Sequence, residues 1–287
     1  MEHATLRRRH FHKYSALGND YLVLDPRALE LTLSVERLRA ICDRHDGVGA
    51  DGIVVGPTVD AAGQMSIRIY NPDGSEAEKS GNGIRIFTRY AYEAGYITRE
   101  PCALMTRSGA VTVRVLDDVG GMIEVDMGRP SFRSSDITMT GPDRDVVDEP
   151  LTVGGEALRV TCVSMGNPHC VVLGGEVSPE RAQRLGPQLE RAACFPQRTN
   201  VQLARAVSER VIEIQIWERG AGYTLASGSS SCAAASAARR LGLVGDEVEV
   251  RMPGGSLWIT FSADEHAILT GPVTGVAHGF FDADLIG

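Results

Sequence analysis

The chain has 287 residues, of which 43% are hydrophobic and 23% are charged, and its formal net charge is −8. This composition is typical of a globular protein with one large domain or two of ordinary size. No apolar run reaches the roughly 18 residues that a membrane-spanning helix needs, and the amino-terminal segment lacks the apolar stretch of a signal peptide. We therefore expect a cytoplasmic protein. The acidic balance argues against nucleic acid as a partner, and the one basic cluster, Arg7, Arg8 and Arg9, is interpreted as a solvated tail.

The cysteine spacing predicts neither a metal site nor a disulfide framework. No two cysteines form a C-x-x-C pair, and without a signal peptide reduced thiols are the simplest interpretation. Most are expected to be small buried apolar side chains. The six are Cys42, Cys102, Cys162, Cys170, Cys194 and Cys232.

Three motifs recur in the same order at nearly one offset, which indicates two similar halves. The turn Gly18-Asn19 returns as Gly166-Asn167, 148 residues later (166 minus 18). Ser80-Gly81 returns as Ser227-Gly228 after 147 residues (227 minus 80), and Ser108-Gly109 as Gly254-Gly255 after 146 (255 minus 109). Each match alone is weak, and the common offset gives the three their weight.

Each half has the pattern of short strands, a glycine turn, one helix and a strand meander. Alternating apolar residues at 66–70 and 212–217 predict strands, and helices are predicted at about 81–94 and 228–241. The fold class is therefore α+β, with two lobes whose strands wrap around one central helix each. The polar stretch at 130–150 is predicted to be a surface connection.

Ser80 and Ser227 stand at the N-cap position of the two predicted helices. Helix capping alone would explain both serines. The glycines that follow, Gly81, Gly83 and Gly228, lower helix propensity but leave the backbone open to a ligand. Since free N–H groups at a helix start attract a carboxylate or another anion, the two starts could hold a small molecule across a cleft between the lobes.

Polar residues precede both helices at matching places. Asn71 lies nine residues before Ser80, and Glu218 lies nine before Ser227, with Arg219 beside it. The remaining candidates are Asn19 and Asn167 in the matched turns, His169, and Asn200 at a strand start. For each asparagine a turn-capping role is the alternative, and for Glu218 and Arg219 a surface ion pair.

Seven segments together resemble the diaminopimelate epimerases and span nearly the whole chain in order. They are Ala16-Leu17-Gly18-Asn19-Asp20, Arg44-His45-Asp46-Gly47-Val48-Gly49-Ala50-Asp51-Gly52, Asn71-Pro72-Asp73-Gly74-Ser75, Ser80-Gly81-Asn82-Gly83-Ile84-Arg85, Ser164-Met165-Gly166-Asn167-Pro168-His169, Glu218-Arg219-Gly220-Ala221-Gly222 and Pro253-Gly254-Gly255. The resemblance implies two pseudosymmetric lobes, residues 1–128 with a returning strand at 274–287, and residues 129–273. It also implies that no pyridoxal phosphate, metal or other cofactor is used, and that a homodimer forms.

The resemblance further implies the roles of single residues on a small amino acid such as diaminopimelate. The acid/base positions would be 80 and 227, with His169 and Glu218 close to them. The side chains of Asn19, Asn71, Asn167, Asn200, Glu218 and Arg219 would hold the substrate. The amides of Gly81, Asn82, Gly228 and Ser229 would receive its α-carboxylate.

The chain departs from the family at the two positions where a cysteine pair is expected, because it has serine at both. A cysteine pKa starts near 8.5, whereas a serine hydroxyl is a far weaker acid, and a helix dipole worth about 1 kcal/mol cannot make it a base. Serine needs a neighbouring base, which His169 could supply for Ser227, whereas Tyr21 stands at the matching place in the first half. Cys232 lies about 140° around the helix from Ser227 at roughly 100° per residue, so it is expected to pack in the core. Ser230 also replaces a glycine common in the family.

Three hypotheses follow for the function. The first is an amino acid epimerase that converts LL- to meso-diaminopimelate by two-base proton transfer. The second is a related isomerase or dehydratase whose substrate has a more acidic proton. The third is a binding protein that keeps the pocket without proton transfer, and an engineered Cys-to-Ser variant would behave in the same way.

Overall fold

The computed structural model describes residues 10–29, 32–77 and 80–286, so the arginine cluster at 7–9 lies outside the described residues. The chain divides into two compact units. Unit 1 joins Met1–Val125 to Gly271–Gly287, and unit 2 is Asp126–Thr270. The division brings the end of the chain back to the unit that contains its beginning.

Unit 1 is a sheet of mixed strands with one long helix. Its strands are β1 (His10–Ala16), β2 (Asn19–Leu24), β3 (Gly52–Val59), β4 (Met65–Tyr70), β5 (Cys102–Thr106), β6 (Gly109–Val115), β7 (Met122–Asp126) and β17 (Thr274–Phe280). They pair in the order β17-β1-β2-β3-β4-β5-β6-β7, parallel at β2-β3 and β4-β5 and antiparallel elsewhere. The helices are α1 (Val35–Cys42), α2 (Gly81–Glu93) and the short α6 (Ala283–Ile286).

Unit 2 repeats this arrangement. Its strands are β8 (Glu149–Val153), β9 (Glu156–Ser164), β10 (Pro168–Leu173), β11 (Asn200–Ser208), β12 (Val211–Glu218), β13 (Gly222–Thr224), β14 (Glu247–Met252), β15 (Gly255–Phe261) and β16 (Ala267–Pro272). They pair in the order β8-β9-β10-β11-β12-β14-β15-β16, with β13 on the end of β12 and parallel pairs at β10-β11 and β12-β14. The helices are α3 (Ser134–Ile137), α4 (Pro179–Glu190) and α5 (Gly228–Arg240).

The strand registers confirm the repeat that the sequence predicts. Tyr21 pairs with Gly52 across β2 and β3, and His169 pairs with Asn200 across β10 and β11, so both members of the pair are offset by 148 residues. The turns that lead into these strands also match, because Gly18 and Gly166 have φ angles of +87° and +89°. This left-handed backbone is open to glycine without steric cost.

The predicted α+β class with one central helix per lobe is confirmed. The helices α2 and α5 begin at the predicted residues and end within one residue of the predicted ends. The alanine-rich α5 has ten of its residues buried, and it contacts strands β9, β10, β11, β12, β14 and β15 of its own unit. Alanine suits this place because a small side chain lets strands approach the helix closely on several sides.

The predicted surface connection at 130–150 is wrong in part. The segment contains α3, and two of its apolar residues, Ile137 and Val146, are completely buried in the core of unit 2. The cysteine prediction is confirmed for four of six residues, since Cys42, Cys162, Cys170 and Cys232 are buried. Cys102 and Cys194 are partly exposed, and none of the six forms a disulfide.

Candidate functional site: two matched helix starts

The start of α5 in unit 2 is capped by Ser227. Its backbone is extended, with φ −150° and ψ 127°, and its Oγ accepts a hydrogen bond from the Ser230 amide at 3.4 Å. Ser227 and Gly228 are buried, whereas Ser229 is partly exposed. The first amides of a helix have no acceptor within the helix. The amides of Gly228 and Ser229 can therefore receive an anion such as a carboxylate.

Glu218 ends strand β12 beside this helix start. The side chain is partly buried. Burial raises the pKa of its carboxyl group above the ordinary value, and the nearby hydroxyls of Ser227 and Thr224 act in the opposite direction. A carboxyl group with a raised pKa binds a proton more readily than an ordinary one, so it can both accept and donate a proton. Among the predicted site residues of unit 2, Glu218 is the one that combines a raised carboxyl pKa with a position next to Ser227.

His169 is completely buried and lies between two amide side chains. Its Nε2 is 3.0 Å from Asn167 Oδ1, and its Nδ1 is 3.1 Å from Gln202 Nε2. Burial lowers the pKa of His169 to about 3, and the positive charge of Arg219 acts in the same direction. In this structure neither ring nitrogen is left to take a proton from Ser227. The contact with Asn167 adds a structural role for His169, and its general-base role stays a prediction.

Asn200 and Glu190 hold the turn that carries Arg219. Asn200 donates to the Pro168 carbonyl at 2.9 Å and accepts from the Arg219 amide at 3.0 Å. The buried carboxylate of Glu190 accepts from the Gly220 amide at 3.2 Å and from the indole of Trp217 at 2.8 Å. The Arg219 guanidinium itself is exposed and bonds to the Gln197 carbonyl at 3.3 Å. Asn200 thus acts on the backbone of the turn, and the guanidinium of Arg219 reaches solvent.

The start of α2 in unit 1 is capped in the same way by Ser80. The serine has φ −135° and ψ 111°, and its Oγ accepts from the Gly83 amide at 3.1 Å. The hydroxyl of Tyr21 lies 3.4 Å from the same Oγ. The amides of Gly81 and Asn82 come first in the helix and, like those of α5, have no intrahelical acceptor. Unit 1 therefore presents a pair of hydroxyl groups beside free helix amides.

Two predicted substrate residues of unit 1 are joined to each other. Asn82 donates to Asn19 at 2.9 Å, and Asn19 donates to Asp51 at 3.0 Å. The buried Arg85 donates to Asn82 Oδ1 at 3.0 Å. Asn71 is not in this group, because its side chain bonds to Ser75 at 2.9 Å within its own turn. The Asn71 side chain thus has a partner within its own turn, and its substrate-binding role stays a prediction.

Three residues that contact the predicted site residues or the turn that carries Arg219 are not themselves predicted as site residues from the sequence. Tyr21 could have been found, because it occupies the place of His169 in the repeat. Gln202 follows Asn200 by two residues, so the alternation of a strand puts both on one face. Glu190 gives no signal, because a charged residue at a helix end is usually solvated.

Within residues 10–29, 32–77 and 80–286, no group of three histidine, cysteine or acidic side chains could hold a metal ion. No helix in the same ranges is long and apolar enough to cross a membrane.

Comparisons with known proteins identify the family. The diaminopimelate epimerase family model matches residues 11–133 and 161–276. A Nostoc protein named diaminopimelate epimerase 2 is 44% identical over 275 residues, which cover 96% of each chain. The diaminopimelate epimerase of Moorella thermoacetica is 39% identical and covers 96% of this chain and 100% of its own.

The fold is also that of more distant solved structures. A hydroxyproline epimerase from Agrobacterium vitis has a TM-score of 0.69 at 16% identity and covers 98% of this chain and 94% of its own. A probable proline racemase from Agrobacterium radiobacter has a TM-score of 0.70 at 14% identity, with 96% and 93% covered.

Proposed function

The chain belongs to the diaminopimelate epimerase family, and we propose on that premise that it inverts the α-carbon of diaminopimelate, from the LL to the meso isomer, without a cofactor. The observation that carries the proposal is the pair of matched helix starts. Each has a serine hydroxyl fixed by the third amide of its helix and two earlier amides free to receive a carboxylate.

Proton removal at the α-carbon requires a base that serine alone does not supply. In unit 2 we assign it to Glu218, whose raised pKa and neighbouring Ser227 suit proton transfer through the hydroxyl. The α-proton would pass to Ser227 Oγ while the serine proton passes to the carboxylate. Returning a proton requires an acid, which the family resemblance assigns to position 80; the Ser80 hydroxyl there lies 3.4 Å from the Tyr21 hydroxyl.

The remaining predicted residues bind and orient the substrate. Asn19, Asn82 and Asn167 carry amide groups fixed by neighbouring side chains, so they can present donors without further ordering. Arg219 has an exposed guanidinium that suits the distal carboxylate of diaminopimelate. Asn71 and Asn200 contribute through the turns they hold.

A second candidate function is supported by the serines themselves. Two weak hydroxyl acids at the predicted acid/base positions suit binding without turnover, or isomerisation of a substrate with a more acidic proton. Ligand affinity without α-proton exchange is the property that separates this candidate from the first.

The test is α-proton exchange of LL-diaminopimelate in D2O, followed by proton NMR. The native chain is compared with Ser80→Cys/Ser227→Cys, and with the control Ser108→Cys/Ser208→Cys, which adds thiols at exposed positions in the two units. Exchange and meso product from the native chain support epimerisation with serines. Exchange from the site double variant alone supports the second candidate. If neither protein exchanges or binds the compound, the proposal is overturned.

We also propose a homodimer in the cytoplasm, on the strength of the family resemblance. Sedimentation equilibrium of the full chain and fractionation of the source cells test the two statements separately. A monomer, or recovery with membranes, would contradict them.

A further inference from the structure

Gln202 lies on β11 with its side chain completely buried and in contact with two parts of the candidate site. Its Nε2 donates one hydrogen bond to His169 Nδ1 at 3.1 Å and another to Ser230 Oγ at 3.0 Å. Its Oε1 is buried and has no hydrogen-bond partner among the described residues. In this orientation the amide directs its nitrogen to both partners and leaves its oxygen without one among the described residues.

The Gln202 contact determines the protonation pattern of His169. An amide nitrogen only donates, so His169 Nδ1 must accept and carry no proton. The proton of the neutral ring is then on Nε2, from which it is donated to Asn167 Oδ1 at 3.0 Å. Asn167 therefore receives a bond on its oxygen, and its Nδ2 remains oriented by that bond as a donor.

The same side chain reaches the helix start. Ser230 accepts the second Gln202 bond, and the Ser230 amide donates to Ser227 Oγ at 3.4 Å. A continuous series of contacts thus joins the Gly166-Asn167 turn to the start of α5. The sequence distance between these segments is about sixty residues, and the Gln202 side chain contacts both His169 and Ser230.

We propose that Gln202 is a positioning residue of the substrate site: its amide fixes His169 as the neutral Nε2–H tautomer, which orients Asn167, and ties the start of α5 to the same anchor. The substrate-binding part of this inference rests on the proposed function, whereas the tautomer does not. Glutamate at 202 would reverse the pattern, because a carboxylate only accepts and His169 Nδ1 would have to be protonated.

The test is nitrogen-15 NMR of the full chain labelled at histidine, with the His169 signals among the seven histidines assigned by their loss in His169→Gln. In the native protein the proton is expected on Nε2, unchanged between pH 8 and pH 5. Gln202→Glu is expected to move a proton onto Nδ1. The matched control Gln215→Glu lies on the neighbouring strand and accepts from Tyr223 at 2.6 Å, a role that a carboxylate keeps, so His169 should be unaffected.

A native His169 protonated on Nδ1 would overturn the inference without any variant, so a failure of Gln202→Glu to fold does not leave it untested. An unchanged tautomer in folded Gln202→Glu would overturn it as well.

Ligand binding distinguishes this inference from the proposed function. The affinity for LL-diaminopimelate, measured by calorimetry, should fall about tenfold in Gln202→Glu, the loss expected for one hydrogen bond. If the tautomer is as expected and neither protein binds diaminopimelate, the proposed function fails while the assignment of His169 stands. If native affinity is retained in the variant despite the tautomer change, the positioning role is overturned.

Discussion

The two helix starts have the same backbone and different chemistry. Ser80 and Ser227 share the extended conformation, the bond to the third amide and the following glycine. Around Ser80 the neighbouring group is a tyrosine hydroxyl, whereas around Ser227 it is a carboxyl group with a raised pKa. The repeat has therefore kept the backbone geometry of the two helix starts, while the side chains beside the serines have diverged.

The divergence extends to the strand pair below each helix start. In unit 1 the pair is Tyr21 and Gly52, and in unit 2 it is His169 and Asn200. A Cβ atom on Gly52 would lie 2.3 Å from Tyr21 Cε1, so the large ring needs the glycine. In unit 2 the smaller imidazole leaves room for an asparagine, which holds the turn of Arg219. The smaller ring of His169 thus allows unit 2 a polar residue, Asn200, at the position where unit 1 has Gly52.

The largest effect is expected from removing the carboxyl group that distinguishes unit 2. Glu218→Gln should lower the rate of α-proton exchange by roughly 100-fold or more, the usual contribution of a general acid or base. The control Glu213→Gln removes an exposed carboxyl group on the same strand, where it pairs with Arg205. Equal exchange rates in the two variants would mean that the two helix starts do not differ in proton transfer.

His169 should make stability depend on pH in a way that Tyr21 cannot. Burial lowers its pKa from 6.5 to about 3, so between these values the unfolded chain binds a proton that the folded chain does not. The contribution of neutral His169 to the free energy of unfolding is fully present above pH 6.5 and is lost as the pH falls through about 3. Urea unfolding at pH 7 to 4 should show a slope that His169→Gln reduces by up to about 1.4 kcal/mol per pH unit. His45→Gln, an exposed position, serves as control, and an unchanged slope in His169→Gln would contradict the assignment.

Replacing Tyr21 and Gly52 of unit 1 by the histidine and asparagine of unit 2 tests whether the sizes of the two side chains are coupled. Gly52→Asn alone should destabilise unit 1 by about 1–3 kcal/mol through overpacking against Tyr21 and the Tyr70 carbonyl. Adding Tyr21→His should recover part of this loss, with a coupling energy of at least about 0.5 kcal/mol in a double-mutant cycle by urea unfolding. Gly245→Asn is the control, since a Cβ there meets nothing closer than 3.9 Å. Strict additivity would show that the two positions are independent.

The smallest effect is expected at the caps. Ser80→Ala and Ser227→Ala should each cost about 1 kcal/mol of stability. Ser178 caps α4 through the Arg181 amide at 3.3 Å and lies outside the candidate site. Ser178→Ala should therefore show the same stability loss in urea while leaving diaminopimelate affinity unchanged. A loss of affinity in Ser178→Ala equal to that in Ser227→Ala would mean that the serines act only as caps.

The sequence predicts the helix starts well because their signals are local. A serine followed by glycine before an apolar run marks a cap, and both α2 and α5 begin where this pattern places them. It fails at 130–150, where Ile137 and Val146 are buried within a stretch that is mostly polar. Composition averages over such a stretch and hides single core residues.

The parts of the site that the sequence misses depend on contacts between distant segments. His169 is close in sequence to Asn167 but meets Gln202 only through the parallel register of β10 with β11. Glu190 reaches the Gly220 amide from the end of a helix thirty residues earlier. No local pattern encodes either contact. The two contacts of the His169 ring nitrogens are therefore visible only in the structure.

The hydrogen bond between Trp217 and Glu190 gives the chain a built-in optical reporter. Trp217 directly precedes Glu218, and its indole is partly buried with its N–H on the Glu190 carboxylate at 2.8 Å. The second tryptophan, Trp258, is 44% exposed on β15. Emission from the two indoles should therefore differ in wavelength and in quenching by iodide. In a Trp258→Phe background, the remaining fluorescence would follow events at Glu218 without any attached dye.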